Sequence, residues 1–283
     1  MRPSERILVA YYLYTSVLAC LLPLRGSVRE VTLALNALIL VGYGLLIWAD
    51  SLRRREFLGT VRDWFPLPLL FMAYRQMGWF APASHRFELE RSWIVWDRLL
   101  LRQWRLREII EVLGPVVPSI LELCYLVVYA TPGFCLAVLY LNRRRDRVDR
   151  FLVPFLFGVL LVYGQLVFWP SEPPRTVFPG EDAPTVDTLF RRVNWWLLGG
   201  YSIHTGVFPS AHVSAAFAAS FAMKRALPER PTVGRYLMVY AVAIALATVY
   251  GRYHYAVDAA AGFVVALAVR VWMAIPALSG RRP

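Results

Sequence analysis

The chain has 283 residues, of which 58% are hydrophobic and only 18% are charged. A soluble domain has about 45–50% apolar and about 25% charged residues, so this composition argues against a soluble globular protein. The net charge of +12 at pH 7 would normally suggest a nucleic-acid partner. Because nearly all of the positive charge is arginine in short loops between apolar runs, we expect a membrane protein and no nucleic-acid binding.

Apolar runs of roughly 17–25 residues, the length that crosses about 30 Å of hydrocarbon, are spread along the whole chain. We predict an all-α, polytopic transmembrane bundle that forms one membrane domain over 1–283, with a six-helix catalytic core. The N-terminal spans lie in 1–82 and the catalytic core lies in 113–278. The eight predicted spans are 6–24, 31–49, 64–82, 116–141, 151–169, 208–224, 234–250 and 257–278. Whether 64–82 crosses fully is left open, because Arg75 interrupts it.

A different kind of segment, 86–112, lies between the third and fourth spans. It mixes Arg and Glu with Leu, Ile and Trp, which predicts an amphipathic helix lying in the membrane interface with its tryptophans at headgroup depth. An ordinary solvated helix packed against a partner domain is the alternative.

The arginine-rich loops predict the orientation of the chain. With eight spans, four basic segments fall on one side, and by the positive-inside rule this side is cytoplasmic. Both termini are then cytoplasmic, and the loops 170–207 and 251–256 lie together on the outer face of what we expect to be the plasma (inner) membrane. The basic residues are Arg53, Arg54, Arg55, Arg62, Arg143, Arg144, Arg145, Arg147, Arg150, Lys224, Arg225, Arg230, Arg235, Arg281 and Arg282.

The first polar cluster at a span end is Pro-Ser-Ala-His at 209–212, followed by a run rich in Ala and Phe. This pattern predicts a helix start with Ser210 as the N-cap. The free main-chain N–H groups of such a start form an anion site, and His212 would lie over it.

The second cluster occupies 250–258 and contains Arg252, His254 and Asp258. His254 and Asp258 are four residues apart and share a helical face. An Asp beside a His fixes its tautomer, so the other ring nitrogen can act as nucleophile or base. Arg252 adds a planar charged group suited to phosphate.

A third patch, Pro-Ser-Glu-Pro-Pro-Arg at 170–175, opens the predicted outer loop. Its prolines hold the chain extended above a span, from where Arg175 can reach the anion site. In the same loop, His204 and Asn194 are candidates for an acceptor-binding or lid role. No set of Cys, His or Asp has metal-ligand spacing, so we expect neither a metal nor another cofactor.

At these residues the sequence resembles the type 2 phosphatidic acid phosphatase superfamily, and within it the inositolphosphotransferase-like branch that contains inositol phosphorylceramide synthases. The superfamily motif Pro-Ser-Gly-His is matched at 209–212, with Ala for Gly. The motif that ends in His, three residues and Asp is matched at His254 and Asp258. The basic motif is matched by Pro-Pro-Arg at 173–175, a form typical of the synthase-like branch.

The sequence departs from these motifs at two basic positions. The lysine of the first motif would fall on Phe168, and the Ser-Arg of the third would fall on Ala247 and Thr248. Arg252 is close enough in sequence to replace the missing arginine.

The resemblance implies that His254 attacks phosphorus to form a phosphohistidine while Asp258 holds its ring, and that His212 protonates the leaving oxygen and then deprotonates the acceptor. Arg175, Arg252 and Ser210 would bind the phosphate oxygens. The implied substrate is a lipid phosphate or phosphodiester, and the acceptor is water or an inositol-type alcohol. A transporter or another non-catalytic protein that binds anionic lipid with the same residues is the alternative. Which lipid is used and how many chains assemble are not predicted.

Overall fold

The computed structural model describes residues 1–53, 55–82 and 85–274. Throughout these segments the regular secondary structure is helical, which confirms the predicted all-α fold. Arg54, Arg281, Arg282 and the end of the last predicted span (275–278) lie outside the described residues. The α-helices are α1 (Pro3–Leu21), α2 (Gly26–Arg53), α3 (Glu56–Trp64), α4 (Pro66–Trp79), α5 (Glu88–Arg98), α6 (Leu106–Glu111), α7 (Val116–Leu126), α8 (Thr131–Leu141), α9 (Val148–Gln165), α10 (Pro174–Val177), α11 (Leu189–Tyr201), α12 (Ala211–Ala226), α13 (Pro231–Tyr250) and α14 (Ala256–Ala274).

Five helical segments within the described residues are long and apolar enough to cross a membrane. They are Gly26–Leu52, Val116–Leu141, Arg145–Phe168, Pro231–Tyr250 and Ala256–Ala274. The predicted count of eight spans is not confirmed. The other three predicted spans correspond to α1, α4 and α12, which are not among these five segments. Helix α4 has 14 residues and α12 has 16, or about 21 and 24 Å at 1.5 Å per residue.

Helix α12 lies at the centre of the bundle and packs against α9, α13 and α14. Its many alanines allow close approach, and Ala216, Ala219 and Ala222 are almost completely buried. A Cβ atom at Gly262 on α14 would lie 2.4 Å from the carbonyl oxygen of Ser210. Glycine at this position therefore brings the N-terminal half of α14 against the start of α12.

The predicted amphipathic segment forms α5, a turn of π-helix at Leu99–Gln103, and α6. Its tryptophans Trp96 and Trp104 are exposed, while the buried face of α5 carries two carboxylates, Glu90 and Asp97. This segment therefore packs a polar face against the C-terminal half of the bundle. Its place in a membrane interface stays a prediction.

Helix α4 is tied to the N-terminal helices by buried polar contacts. The amide of Asn36 on α2 donates to Thr15 on α1 at 2.8 Å and accepts from Gln76 on α4 at 2.5 Å. Hydrogen bonds between side chains hold helices together where apolar burial alone does not select a partner. These contacts join α4 to α1 and α2, and α4 also packs against α9, next to the histidine cluster described below.

Candidate active site

The two histidines of the predicted motifs meet where α12 begins. His212 lies in the first turn of α12 and His254 lies in the turn between α13 and α14. The Nδ1 atom of His212 is 3.2 Å from the Nε2 atom of His254. Residues 42 positions apart in the sequence thus present two imidazole nitrogens to one small region.

The surroundings of His254 determine which of its nitrogens carries the proton. Its Nδ1 atom is 2.9 Å from the main-chain oxygen of Val207 and 3.3 Å from the carboxylate of Asp258. Both partners are acceptors, so Nδ1 carries the hydrogen in the neutral ring. The lone pair then lies on Nε2, the nitrogen that faces His212.

Burial is the main reason why the pKa of His254 lies well below its usual value, and the neighbouring His212 ring and the positive charge of Arg175 lower it further. The hydrogen bond to Val207 opposes this shift. The ring is therefore neutral at pH 7, and the Nε2 lone pair is available to attack an electrophile.

Asp258 lies at the third position of α14 and has two contacts at this helix start. One carboxylate oxygen faces the His254 ring and also accepts the main-chain N–H of Tyr255 at 2.8 Å. In a capping box, the acidic side chain at the third helical position accepts the main-chain N–H of the residue before the helix, as Asp258 does here. One carboxylate therefore fixes both the start of α14 and the histidine ring.

Ser210 is the N-cap of α12, as the sequence predicts. Its hydroxyl accepts the N–H of Val213 at 3.3 Å, and its own N–H donates to the main-chain oxygen of Asp258 at 2.9 Å. The second contact joins the start of α12 to that of α14. The anion-binding role of this helix start stays a prediction.

Arg175 lies beside the histidines on the short helix α10. Its guanidinium is 5.8 Å from the centre of the Tyr253 ring, and Nη1 is 3.5 Å from the main-chain oxygen of Tyr253. Its main-chain N–H donates to the oxygen of Arg252 at 3.3 Å. The third predicted patch therefore packs on the turn that carries His254, and Arg175 brings a positive charge to it.

The structure places Arg252 in a different environment. Its guanidinium is 2% exposed and pairs with the carboxylate of Asp97 on α5. Its Nε and Nη2 atoms are buried, and neither forms a hydrogen bond with the described protein. Whether these two groups take part in phosphate binding stays a prediction, but the contact with Asp97 was not anticipated from the sequence.

His204 and Asn194, the candidates for an acceptor or lid role, form no hydrogen bond with the histidine pair. The His204 side chain is 80% exposed and lies 3.7 Å from the carboxylate of Glu172. Asn194 is buried and donates to Glu122 on α7, at 2.9 Å to its main-chain oxygen and 2.7 Å to its carboxylate. Asn194 therefore attaches α11 to α7.

Three residues of α7 and the turn after it complete the surroundings of the pair and were not anticipated. The Tyr129 hydroxyl is 3.0 Å from Nε2 of His212, and the Tyr125 ring stacks between His212 and Tyr253. The carboxylate of Glu122 accepts the Tyr253 hydroxyl at 2.6 Å. A carboxylate inside an apolar span is a signal for function, so Glu122 could have been found from the sequence.

An apolar cavity of about 140 Å³ lies next to His212. It is bounded by α4, α9, α12, the turn between α7 and α8, and the first turn of α8. The lining residues are Leu67, Leu70, Phe71, Tyr74, Val128, Tyr129, Pro132, Phe155, Val159, Tyr163, Ala211, His212 and Ala215. The histidine pair therefore lies between a polar turn and a hydrocarbon-like space.

The sequence profile of the PAP2 superfamily matches residues 92–272, more than half of the chain. The chain belongs to the PAP2 superfamily. The match includes the histidine pair, Asp258, Arg175 and most of α5, whereas α1–α4 precede it in this PAP2 protein. No significant match was found among curated proteins or among solved structures. Within the described residues of this PAP2 protein, no group of three His, Cys, Asp or Glu side chains could hold a metal ion.

Proposed function

We propose that this protein is a membrane-embedded lipid phosphatase or phosphotransferase of the PAP2 superfamily that works through a phosphohistidine on His254. The observation that carries the proposal is the contact between Nε2 of His254 and Nδ1 of His212 at 3.2 Å, with Nδ1 of His254 held by Val207. A nucleophilic nitrogen and a proton-transfer group are thus adjacent.

In the first step, the lone pair on Nε2 of His254 attacks phosphorus. A nitrogen–phosphorus bond forms, the bond from phosphorus to the leaving oxygen breaks, and protonated His212 gives its proton to that oxygen. The negative charge of a bound phosphate would favour the protonated form of His212 needed for this step. Arg175 and the N–H groups at the start of α12 would stabilise the charge on the transferring phosphoryl group.

In the second step, neutral His212 takes a proton from water or an alcohol, whose oxygen attacks phosphorus. The bond from phosphorus to Nε2 breaks, and the lone pair returns to His254. Water as acceptor gives inorganic phosphate, and an alcohol gives a new phosphate ester. Asp258 would stabilise the positive charge of the phosphorylated ring.

The apolar cavity beside His212 supports a lipid substrate. Its wall is formed almost entirely by aliphatic and aromatic side chains, so a hydrocarbon chain can pack there without leaving buried polar groups unpaired. A lipid phosphate could place its headgroup at the histidines and part of a chain in the cavity. Since both termini are predicted to be cytoplasmic, this reaction would take place at the outer face of the plasma (inner) membrane.

The Pro-Pro-Arg motif at 173–175 favours transfer to an inositol-type alcohol over hydrolysis, because this form is typical of the synthase-like branch. Purified protein in lipid vesicles should be incubated with a labelled phospholipid, with and without inositol. A labelled inositol ester that appears only with inositol would support the transferase. This product is inositol phosphate when the lipid alcohol is the leaving group, and an inositol-containing phospholipid when the headgroup is. Free phosphate or free headgroup phosphate that forms both with and without inositol would support the hydrolase.

Trapping of the covalent intermediate tests the mechanism. With a lipid phosphate labelled with ³²P, alkaline quenching should retain label on the wild-type protein, and acid should release it because the nitrogen–phosphorus bond is acid-labile. His254→Ala should retain no label. When the leaving group is a good one, such as p-nitrophenolate, His212→Ala should retain more label than wild type. Such a group leaves without being protonated, so only the second step, in which His212 deprotonates the acceptor, then depends strongly on His212.

His85→Asn is the matched control, since it removes a histidine that pairs with Glu90 and forms no hydrogen bond with the histidine pair. Its labelling should equal that of wild type. Purified His254→Ala with near wild-type turnover would exclude the mechanism. Binding of anionic lipid without labelling or turnover would instead support the non-catalytic alternative.

A further inference from the structure

The turn that carries His254 has an unusual main-chain conformation. Arg252 has φ of 63°, in the left-handed region that residues other than Gly, Asn and Asp rarely adopt. Two residues later, His254 is almost completely buried. A turn of this kind keeps its shape only when contacts from outside hold it.

Asp97 on α5 holds this turn at both ends. One carboxylate oxygen pairs with the guanidinium of Arg252, and the other accepts the main-chain N–H of Ala256 at 2.8 Å. Asp97 is completely buried, and Arg252 is 2% exposed. His254 lies midway between the two anchored residues.

The contact with Ala256 also fixes the start of α14. Ala256 is the first residue of that helix, and its N–H has no partner within the helix. Asp97 supplies the missing acceptor from a neighbouring helix, while Asp258 satisfies the N–H of Tyr255. The carboxylate that faces the His254 ring therefore depends on a helix start that Asp97 completes.

The same face of α5 also contacts the residues that follow Val207 and His254 in the chain. Trp93, four residues before Asp97, stacks on Phe208 at 4.8 Å between ring centres and contacts Tyr255 edge-on at 5.8 Å. Phe208 follows Val207, whose oxygen accepts from His254. Helix α5 thus contacts both chain segments that hold the nucleophilic ring.

We propose that Asp97 is a positioning residue for His254, acting through Arg252 and Ala256. It does not touch the reacting atoms. Its carboxylate sets the shape of the turn that directs Nε2 of His254 towards His212. This inference rests on the proposed function and makes α5 a functional part of the site, beyond the interfacial role predicted from its sequence.

Two substitutions test the proposal. Asp97→Glu keeps the buried charge beside Arg252 but displaces the carboxylate by one methylene, and Asp97→Asn keeps an acceptor for Ala256 but removes the charge. A displacement of about 1 Å of a catalytic group can cost about 100-fold in rate. We expect each variant to lose about 10- to 100-fold in kcat while KM for the lipid stays within about threefold.

Arg98→Gln is the matched control. Arg98 is the next residue on α5, but its guanidinium is 44% exposed and pairs with Glu181 at 2.6 Å, away from the turn. This variant should keep kcat within about twofold of wild type. Thermal unfolding and gel filtration in detergent identify folded variants, and Asp97→Glu is the variant of choice if Asp97→Asn does not fold.

A second readout does not need enzymatic activity. Diethylpyrocarbonate modifies accessible imidazoles, and mass spectrometry follows His254 with exposed His204 as the internal reference. In folded Asp97→Glu and Asp97→Asn, His254 should react at least about threefold faster than in wild type, because the turn is no longer fixed. If wild type has no activity, the proposed function fails, and this readout still decides the role of Asp97. Folded variants with unchanged His254 reactivity, or with wild-type kcat in an active enzyme, would overturn the proposal.

Discussion

Nδ1 of His254 donates to the main-chain oxygen of Val207 over 2.9 Å, a shorter contact than the 3.3 Å to the carboxylate of Asp258. A main-chain carbonyl can only accept a hydrogen bond. It therefore selects the tautomer with the lone pair on Nε2 whatever residue occupies position 258. The carboxylate adds negative charge beside the ring, which matters when the ring becomes positively charged.

This division of roles predicts a graded effect at position 258. Asp258→Asn keeps the tautomer set by Val207 but removes the charge that stabilises a phosphorylated imidazole, so kcat should fall about 10- to 1000-fold. His254→Ala, which removes the nucleophile, should lose more. Initial rates of both variants at saturating lipid check the order. An Asp258→Asn enzyme as inactive as His254→Ala would show that Val207 does not set the tautomer alone.

The pH dependence of the reaction follows from the state of His254. Protonation removes the attacking lone pair, so activity is lost as pH falls through the pKa of this group. Burial first, and then His212 and Arg175, place this pKa well below its usual value. The acid limb of kcat/KM should therefore have its midpoint below about 6.5, the value for an unperturbed histidine.

Arg175→Gln provides the comparison for this pH profile. Removing a positive charge beside His254 should raise its pKa towards the usual value and move the acid limb to higher pH. Weaker phosphate binding should lower kcat/KM at every pH, but only the change in pKa moves the midpoint. A midpoint unchanged in Arg175→Gln would contradict an electrostatic effect of Arg175 on His254.

The fold class and the elements of the site could be predicted because their signals are local. Apolar runs identify membrane helices, and Ser210 identifies the start of α12. Asp258 follows His254 at helical spacing, so their contact needs no tertiary information. These features depend on residues close together in the sequence, where periodicity and capping are sufficient.

The contacts between distant segments could not be predicted in this way. Asp97 and Arg252 are 155 residues apart, and in isolation Asp97 looks like one more charged residue of an amphipathic helix. The interaction of Asn194 with Glu122 likewise requires knowing that α11 packs on α7. Span length was also overestimated for α4, because an apolar composition continues beyond the residues that are helical.

Glu122 is expected to contribute more to stability than to chemistry. Its carboxylate is 3.0 Å from the guanidinium of Arg191, and it also accepts from Asn194 and Tyr253. Glu122→Gln leaves the Arg191 charge largely buried without a counter-charge, which costs about 3 kcal/mol. Unfolding in detergent should show this loss. Arg192→Gln, which breaks an exposed pair with Asp187, should change stability by less than about 1 kcal/mol.

The apolar cavity beside His212 predicts how chain length affects binding. Ala215 lies on α12 and lines the cavity, so Ala215→Phe would place a ring in its 140 Å³. For a long-chain lipid phosphate presented as a monomer in water, a ring that excludes two methylene groups weakens binding by about 1.6 kcal/mol, or roughly 15-fold. KM for a long-chain lipid phosphate should rise by this factor, while KM for a soluble short-chain phosphate should change by less than about threefold.

Val264→Phe is the control for this last substitution, because it adds a similar ring to α14 at a position that is 60% exposed and outside the cavity. It should leave both KM values near wild type. An equal rise of KM for long and short substrates in Ala215→Phe would mean that the ring disturbs His212, three residues away on the same helix. A rise confined to long-chain substrates would instead locate the hydrocarbon chain between α4 and α12, which would give the N-terminal helices a direct part in selecting the lipid.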